Sequence, residues 1–390
     1  MATCWTIWGT IVVILSFFCL WNCIHRHILT DTSDWCGCRD QNGNPVDSFV
    51  VYKLPREKQS DFLPMQTGTA YMYLTPEIAT RLQSGGVSSV FSGYKDSASG
   101  WVLSNVSISS EQSMLAHTLR RIYKDKDFVK NSVLIMYNDE FPNGSVTMTK
   151  GHTKGVVIMT DSGGFWLIHS VPKYPPSPED SYAYPKTGHH YGQSMLCISL
   201  PAEEADNLGG QLLQNNPYIY ASNMPENLAS RFSTLAKVIN GDTPETVPWY
   251  RITQLKSRQG KTFTSFAKYK NYELDLYSGL VAPILETSIV VESWRNGPNP
   301  LPSSCNDTYK VENSESLSVR AASVSFSSHK DHSKWAVAVE PDKPYVCIGD
   351  INRMLSQFHR GGGTICVWSL SIWHRFHSLV QEVEPCAFQF

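Results

Sequence analysis

The sequence has almost no excess of charge of either sign: 33 Lys and Arg stand against 35 Asp and Glu, a formal net charge of −2 at pH 7. That balance excludes a strongly cationic nucleic-acid coat at neutral pH, so any affinity for polyanions has to be local or pH-dependent. Beyond residue 30 there is no long apolar run, and the body of the chain is expected to be soluble. Metal-ligand spacings are also missing. His189 and His190 are adjacent, but no carboxylate or Cys accompanies them at a recognised spacing, so they read as a solvated loop; Cys36 and Cys38 alone supply too few ligands for zinc. With 42% hydrophobic and 17% charged residues the chain is neither disordered nor collagenous, and 390 residues suit one large or two medium domains.

Residues 11–21 are the exception, an apolar run broken only by Ser16. Its length suits a secretory leader and is short for a membrane span, so a leader over residues 1–27, cleaved somewhere in 22–33, is expected. The competing assignment is an uncleaved signal anchor, because apolar and small residues extend from Trp5 to Ile24; Arg26 follows the run and nothing basic precedes it. Three glycosylation acceptors, Asn105, Asn143 and Asn306, with Ser107, Ser145 and Thr308 two residues on, agree with passage through a secretory lumen. Seven cysteines follow the leader: Cys36, Cys38, Cys197, Cys305, Cys347, Cys366 and Cys386. In an oxidising lumen disulfides are the default, and an odd count leaves at least one thiol over.

Strand-like runs alternate with turn signals along the body. Residues 48–54, 132–137, 155–160 and 164–169 are expected as strands, the last two as a hairpin around Asp161, Ser162 and two glycines. Residues 110–123 and 227–239 carry apolar side chains at helical spacing. The mixture predicts an α/β or α+β layered fold. Residues 171–178 are Pro-rich and read as an extended loop, and 240–248 as a linker, which divides the chain into halves at 34–240 and 249–390.

The two halves share a motif. His152 and Lys154 in the first, and His332 and Lys334 in the second, each form a His-x-Lys that runs into an apolar strand. At period two the His and Lys of each motif would share a face, so two such faces meeting would make a cationic pocket. A pocket of that kind meets the demands of phosphodiester cleavage without a metal. One neutral imidazole attacks phosphorus; the other, as imidazolium, protonates the leaving oxygen and then activates water; the ammoniums offset the charge of the transition state. Free His titrates near 6.5, so an acidic compartment near pH 5 suits such an acid. With the leader and its Arg26 removed, 32 basic residues face 35 acidic ones, and ten histidines could carry the chain from about −3 toward about +7. Replacing Lys154 by Ala is expected to depress turnover more than folding, by relieving repulsion between ammoniums.

Residues 44–55, 151–156, 163–172, 275–279, 331–335 and 360–364, read together and in order, closely resemble the deoxyribonuclease II family, over nearly everything from Cys38 to Cys386. The resemblance implies a phospholipase D-like pseudo-dimer of two α/β halves with the active site between them, and His152, Lys154, His332 and Lys334 as the catalytic set. It implies double-stranded DNA as the partner, cut at acid pH to 3'-phosphate and 5'-hydroxyl ends with no metal or other cofactor. It also implies a lysosomal or secreted location, a part in degrading the DNA of apoptotic cells, and disulfides Cys38 to Cys197, Cys305 to Cys386 and Cys347 to Cys366, with Cys36 left over. Residues 349–352 are similar to the Gly-Ser-x-Asn tail of the phospholipase D motif, with Asp350 in place of Ser; Asn352, with His169 as its counterpart in the first half, becomes a phosphate-binding candidate. Arg360 and the glycines after it read as a flexible turn or as a backbone cradle for phosphate. Tyr174, Tyr184 and Tyr191 are either core residues or base-stacking ones. Two alternatives stay open, a phospholipase D-type phosphodiesterase and a catalytically dead DNA-binding or immunomodulatory relative, and a homodimer is also left open.

Overall fold

The computed structural model describes residues 36–81 and 100–386; the expected leader lies outside them. Two sheets organise the chain. The first is built from β1 (Ser48–Lys53), β2 (Tyr71–Leu74), β3 (Val102–Leu103), β4 (Val133–Asn138), β5 (Lys154–Thr160), β6 (Gly163–His169), β7 (Gln193–Leu200) and β8 (Ile219–Asn223). The second is built from β9 (Tyr250–Lys256), β10 (Thr262–Lys268), β11 (Ile289–Glu292), β12 (Val311–Val319), β13 (Val324–Ser327), β14 (Trp335–Ala338), β15 (Tyr345–Gly349), β16 (Gly362–Trp368) and β17 (Val380–Val383). This is a mixed α+β architecture in two halves.

The strand orders repeat. The first sheet runs β3-β2-β1-β7-β6-β5-β4-β8, and the second contains β9-β10-β16-β15-β14-β11-β12, so each strand that follows a His-x-Lys holds the same place in its sheet. The match breaks at the edges: β4 pairs β8 antiparallel, whereas β11 pairs β12 parallel, and β3, β13 and β17 have no counterparts.

Alternation along the strands explains the layering. In β4, Val133, Ile135 and Tyr137 enter a core shared with Trp335, Val337, Val346 and Ile348 of the second sheet. Leu134 and Met136 point the other way, into a core with Met114, Leu115 and Leu119 of helix α1 (Met114–Lys124). Ala336 and Cys347 likewise face a third cluster with Leu276 to Leu285. Each sheet is therefore buried on both faces, which is why its strands read as nearly continuous apolar runs. Helix α2 (Ala205–Asn215), from the first half, lies against β9, β10 and β16 of the second.

Two expected helices differ in extent. The first starts at Met114 rather than residue 110, because Ser113 caps it by accepting from the Ala116 amide. The second is split into Glu226–Ala229 and α3 (Ser233–Asn240), since Phe232 leaves helical geometry (φ −111°, ψ 51°) with its ring buried. The 161–162 hairpin turn, the irregular 171–178 loop and the 241–249 connection lie where the sequence signals place them.

Three disulfides are present, Cys38–Cys197, Cys305–Cys386 and Cys347–Cys366, the last joining directly paired residues of β15 and β16. Cys36 is free and buried, and burial pushes its thiol up to about 12, which leaves it unreactive. Asn105, Asn143 and Asn306 are all exposed. Among the described residues no helix is long and apolar enough to cross a membrane.

Trp101 joins the halves. Its ring, 1% exposed, packs against Tyr52 and Phe376, and its indole N–H reaches the Arg375 carbonyl of helix α4 (Leu370–His377) at 3.2 Å. Trp101→Ala should cost about 3–5 kcal/mol of unfolding free energy. Chemical denaturation checks this, and a loss below about 1 kcal/mol would show that the contact does not join the halves.

Candidate active site

The two sheets meet at the ends of the strands that follow the His-x-Lys motifs, and main-chain bonds across the seam are reciprocal. The His152 amide donates to the Gly361 carbonyl at 2.8 Å, and the His332 amide donates to the Gly192 carbonyl at 2.9 Å. Gly192 and Gly361 immediately precede β7 and β16, and the pairing registers make them equivalent. Each histidine is thus held by the other half.

The strands begin later than a His-x-Lys wholly inside a strand would require: β5 starts at Lys154 and β14 at Trp335. Pleat alternation therefore does not set the faces; local hydrogen bonds do. Lys334 Nζ lies 3.0 Å from His332 Nδ1 and donates to the His332 carbonyl at 2.5 Å. In the first motif Lys154 is ion-paired with Asp139, whose other oxygen lies 3.9 Å from His152 Nε2 and accepts from Arg360 Nη2 at 3.0 Å. His152 Nδ1 sits 2.6 Å from the Asp350 carbonyl, which can only accept, so the proton is on Nδ1 and the lone pair on Nε2. His332 Nδ1 lies 3.2 Å from Gln193 Oε1, which also accepts from the Ser170 hydroxyl at 2.5 Å.

Electrostatics links the four side chains. Burial first, then the ammonium of its own motif, holds each imidazole well below the ordinary histidine value; Lys334 acts on His152, while Lys154 and His152 act on His332. Burial, followed by Lys154, pushes the Lys334 ammonium well down. Burial would raise the Asp139 carboxyl, but Lys154, His152 and Arg360 offset it and hold the group below the usual carboxylate range. A cluster of this kind, with more positive than negative groups and little water, favours an incoming anion. His152 (8% exposed) and His332 reach the surface, while Lys154 (1%) and Lys334 (0%) do not.

Several expectations change. His169 is 0% exposed, with Nδ1 accepting from the Val171 amide at 3.2 Å and the ring against Tyr174; burial pushes it to about 3. With Gly155 aligned on Trp335, the registers match His169 to Gly349 and Ser170 to Asp350, so His169 and Asn352 are not counterparts. Asn352 is itself 4% exposed. Asp350 takes the Thr153 hydroxyl and, at 3.0 Å, the Gly363 amide, which makes it a strut across the seam. Arg360 is no flexible turn: it is 4% exposed and bonds Asp139 and the carbonyls of Thr147, Lys150 and Gly151. Lys154 answers a carboxylate, so its removal would relieve its repulsion of Lys334 but leave Asp139 with Arg360 as its cationic partner. Tyr174 and Tyr184 are buried, whereas Tyr191 is partly exposed.

Sequence reasoning passed over Asp139, Gln193 and Trp294, and also Lys53 and Lys268. The last two are equivalent by register, both 0% exposed, and they donate only to main-chain carbonyls: Lys53 to His189, and Lys268 to Gln357, Phe358 and Arg360. They anchor the loops that deliver Gly192 and Gly361. Their signal was visible, since each closes an otherwise apolar or small-residue strand with a charge. Among the described residues no cluster of three or more His, Cys, Asp or Glu side chains could hold a metal ion.

Comparison with known proteins agrees with the sequence resemblance. Residues 37–386 match the family model described as Deoxyribonuclease II. Deoxyribonuclease-2-alpha of Rattus norvegicus is 36% identical over 357 residues, 90% of this chain and 94% of its own length. Deoxyribonuclease-2 of Caenorhabditis elegans is 38% identical over 360 residues, with the same shares. Plancitoxin-1 of Acanthaster planci is 33% identical over 361 residues, 92% of this chain and 95% of its own. Among solved structures, a polyphosphate kinase from Porphyromonas gingivalis aligns over 58% of this chain and 32% of its own at 11% identity, with a TM-score of 0.29, which bears on neither fold nor function. From its family match and the length over which these relatives align, the chain belongs to the deoxyribonuclease II family.

Proposed function

We propose that this chain is a metal-independent acid endonuclease that hydrolyses double-stranded DNA to 3'-phosphate and 5'-hydroxyl ends through a covalent phosphohistidine, on a phospholipase D-like pseudo-dimer. DNA hydrolysis is supported by family membership and by relatives named deoxyribonucleases. The observation that carries the catalytic assignment is the reciprocal clasp, which brings two imidazoles and two ammoniums within electrostatic reach of one another across the seam. The signal-like N-terminus, the disulfides and the exposed acceptors Asn105, Asn143 and Asn306 support a lysosomal or secreted location, where a part in clearing the DNA of engulfed or apoptotic cells is the role we propose.

The reaction runs in two steps. One neutral imidazole forms an N–P bond through its Nε2 lone pair while the P–O5' bond breaks, and the other, as imidazolium, gives its proton to the departing O5'. Water then attacks phosphorus, the second imidazole takes its proton, and the N–P bond breaks to release the 3'-phosphate. Lys154 and Lys334 stabilise the extra charge on the pentacoordinate phosphorus, in a site where burial strengthens each interaction. Arg360 and Asp139 position the first motif, and Gln193 and Ser170 the second.

His332→Ala should be secreted and folded like the parent, yet should lose at least about a thousandfold in plasmid nicking at pH 5 in EDTA. Nicking equal to the parent's would refute the assignment, and loss of the parent's own activity in EDTA would refute metal independence.

The pH dependence follows from the shifts. One imidazole must be neutral and the other charged, and both titrate below their ordinary value in the free protein. Lowering pH protonates the acid first and raises kcat/KM; further lowering protonates the nucleophile and reduces it. A bell-shaped profile of kcat/KM is expected, with its alkaline limb below about 6.5. An alkaline limb above pH 7 would contradict it.

A further inference from the structure

Asp139 and Trp294 occupy the same position in the two halves. With Gly155 aligned on Trp335, Tyr137 of β4 falls on Glu292 of β11, and two residues further on Asp139 falls on Trp294. One histidine therefore sees a carboxylate and the other an indole: the Trp294 ring meets His332 at 5.1 Å and 64°. The aromatic run continues outward. Tyr191 stands against Trp294 at 4.6 Å and 76°, and His190 against Tyr191 at 4.5 Å and 83°. Trp294 and Tyr191 are partly exposed and His190 is exposed, unlike the buried Tyr174 and Tyr184 of the neighbouring loop.

The run is assembled across the seam. Trp294 comes from the second half, while Tyr191 comes from the first and is fixed by its neighbour Gly192, which donates to the Lys330 carbonyl at 3.0 Å and accepts from the His332 amide. Two residues with exposed cationic side chains adjoin it through their main chains: the Arg56 amide donates to the His190 carbonyl at 3.0 Å, and the Lys330 carbonyl accepts from the Gly192 amide at 3.0 Å. A partly exposed aromatic surface that begins at one histidine of the site and is bordered by positive charge has the makeup of a single-strand nucleic-acid platform.

Resting on the nuclease function proposed above, we propose that Trp294 and Tyr191, whose rings cross at 76°, form an aromatic platform that takes an unpaired nucleobase of the DNA strand being cut, stacked on one ring and met edge-on by the other, adjacent to the scissile phosphate. In a duplex the bases are stacked on one another, so engaging this surface requires one nucleotide to leave the stack. The platform offers π-faces and no directed hydrogen-bond code, so it accepts any base.

The test uses a single-stranded oligonucleotide with one phosphodiester among phosphorothioate linkages, with the nucleotides on its 5' and 3' sides replaced in turn by an abasic residue. The full-length protein should cleave the intact strand about tenfold better than the abasic strand on one of the two sides, an effect ordinary for one lost base–aromatic contact. In Trp294→Ala and, separately, in Tyr191→Ala that ratio should fall toward one, and Trp294→Phe should restore it. An unchanged ratio in both alanine variants, or no discrimination by the parent, overturns the platform while leaving the nuclease intact. No cleavage of the intact strand by a parent that still nicks plasmid DNA overturns the platform alone; loss of plasmid nicking as well overturns the nuclease itself.

Discussion

Two main-chain hydrogen bonds, His152 amide to Gly361 carbonyl and His332 amide to Gly192 carbonyl, connect the fold to the chemistry. Neither motif is complete within its own half. Each histidine backbone is fixed by a glycine at the start of a strand in the opposite sheet, and each of those glycines sits in a loop tied down by a buried lysine, Lys268 or Lys53. Both sheets must be in place before either imidazole is oriented. The shared core of Ile135, Trp166, Trp335 and Ile348 is thus a requirement of the site as well as of stability.

The near two-fold arrangement is broken where the chemistry needs a difference. His152 lies beside Asp139, Lys154 and Arg360, whereas His332 lies beside Trp294, Gln193 and Lys334. In the mechanism proposed above, those unlike surroundings would let the same residue type serve once as acid and once as nucleophile. Burial keeps both neutral more readily than free histidine, so acidification is what charges the pair.

Much of this was legible in the sequence because it is local. The His-x-Lys motifs, the alternating turn signals and the strand boundaries depend on neighbouring residues, and the four strands expected in the first sheet, β1, β4, β5 and β6, fall within a residue of their expected limits, whereas β2, β3, β7 and β8 were not expected. The rest depends on pairing between distant segments. Nothing near Arg360 announces Asp139, and nothing near His169 tells that its register partner across the pseudo-dyad is Gly349 and not Asn352. Asp350 looked like a departure from a phosphate-binding tail; it is a strut, because Thr153 and Gly363 converge on it only once the sheets meet. Phe232 broke a helix that periodicity alone supports, since burying its ring took precedence over helical geometry.

The central claim is that two motifs, one from each half, work on a single phosphorus through a covalent intermediate. Its most direct measurement is a single turnover at pH 5 with DNA carrying ³²P at the internal phosphodiesters, quenched under alkaline denaturing conditions that preserve phosphohistidine, followed by peptide mapping. The account predicts label on one peptide, containing either His152 or His332, and its loss when that histidine is replaced. Full cleavage with no labelled protein at any time during the turnover would contradict it.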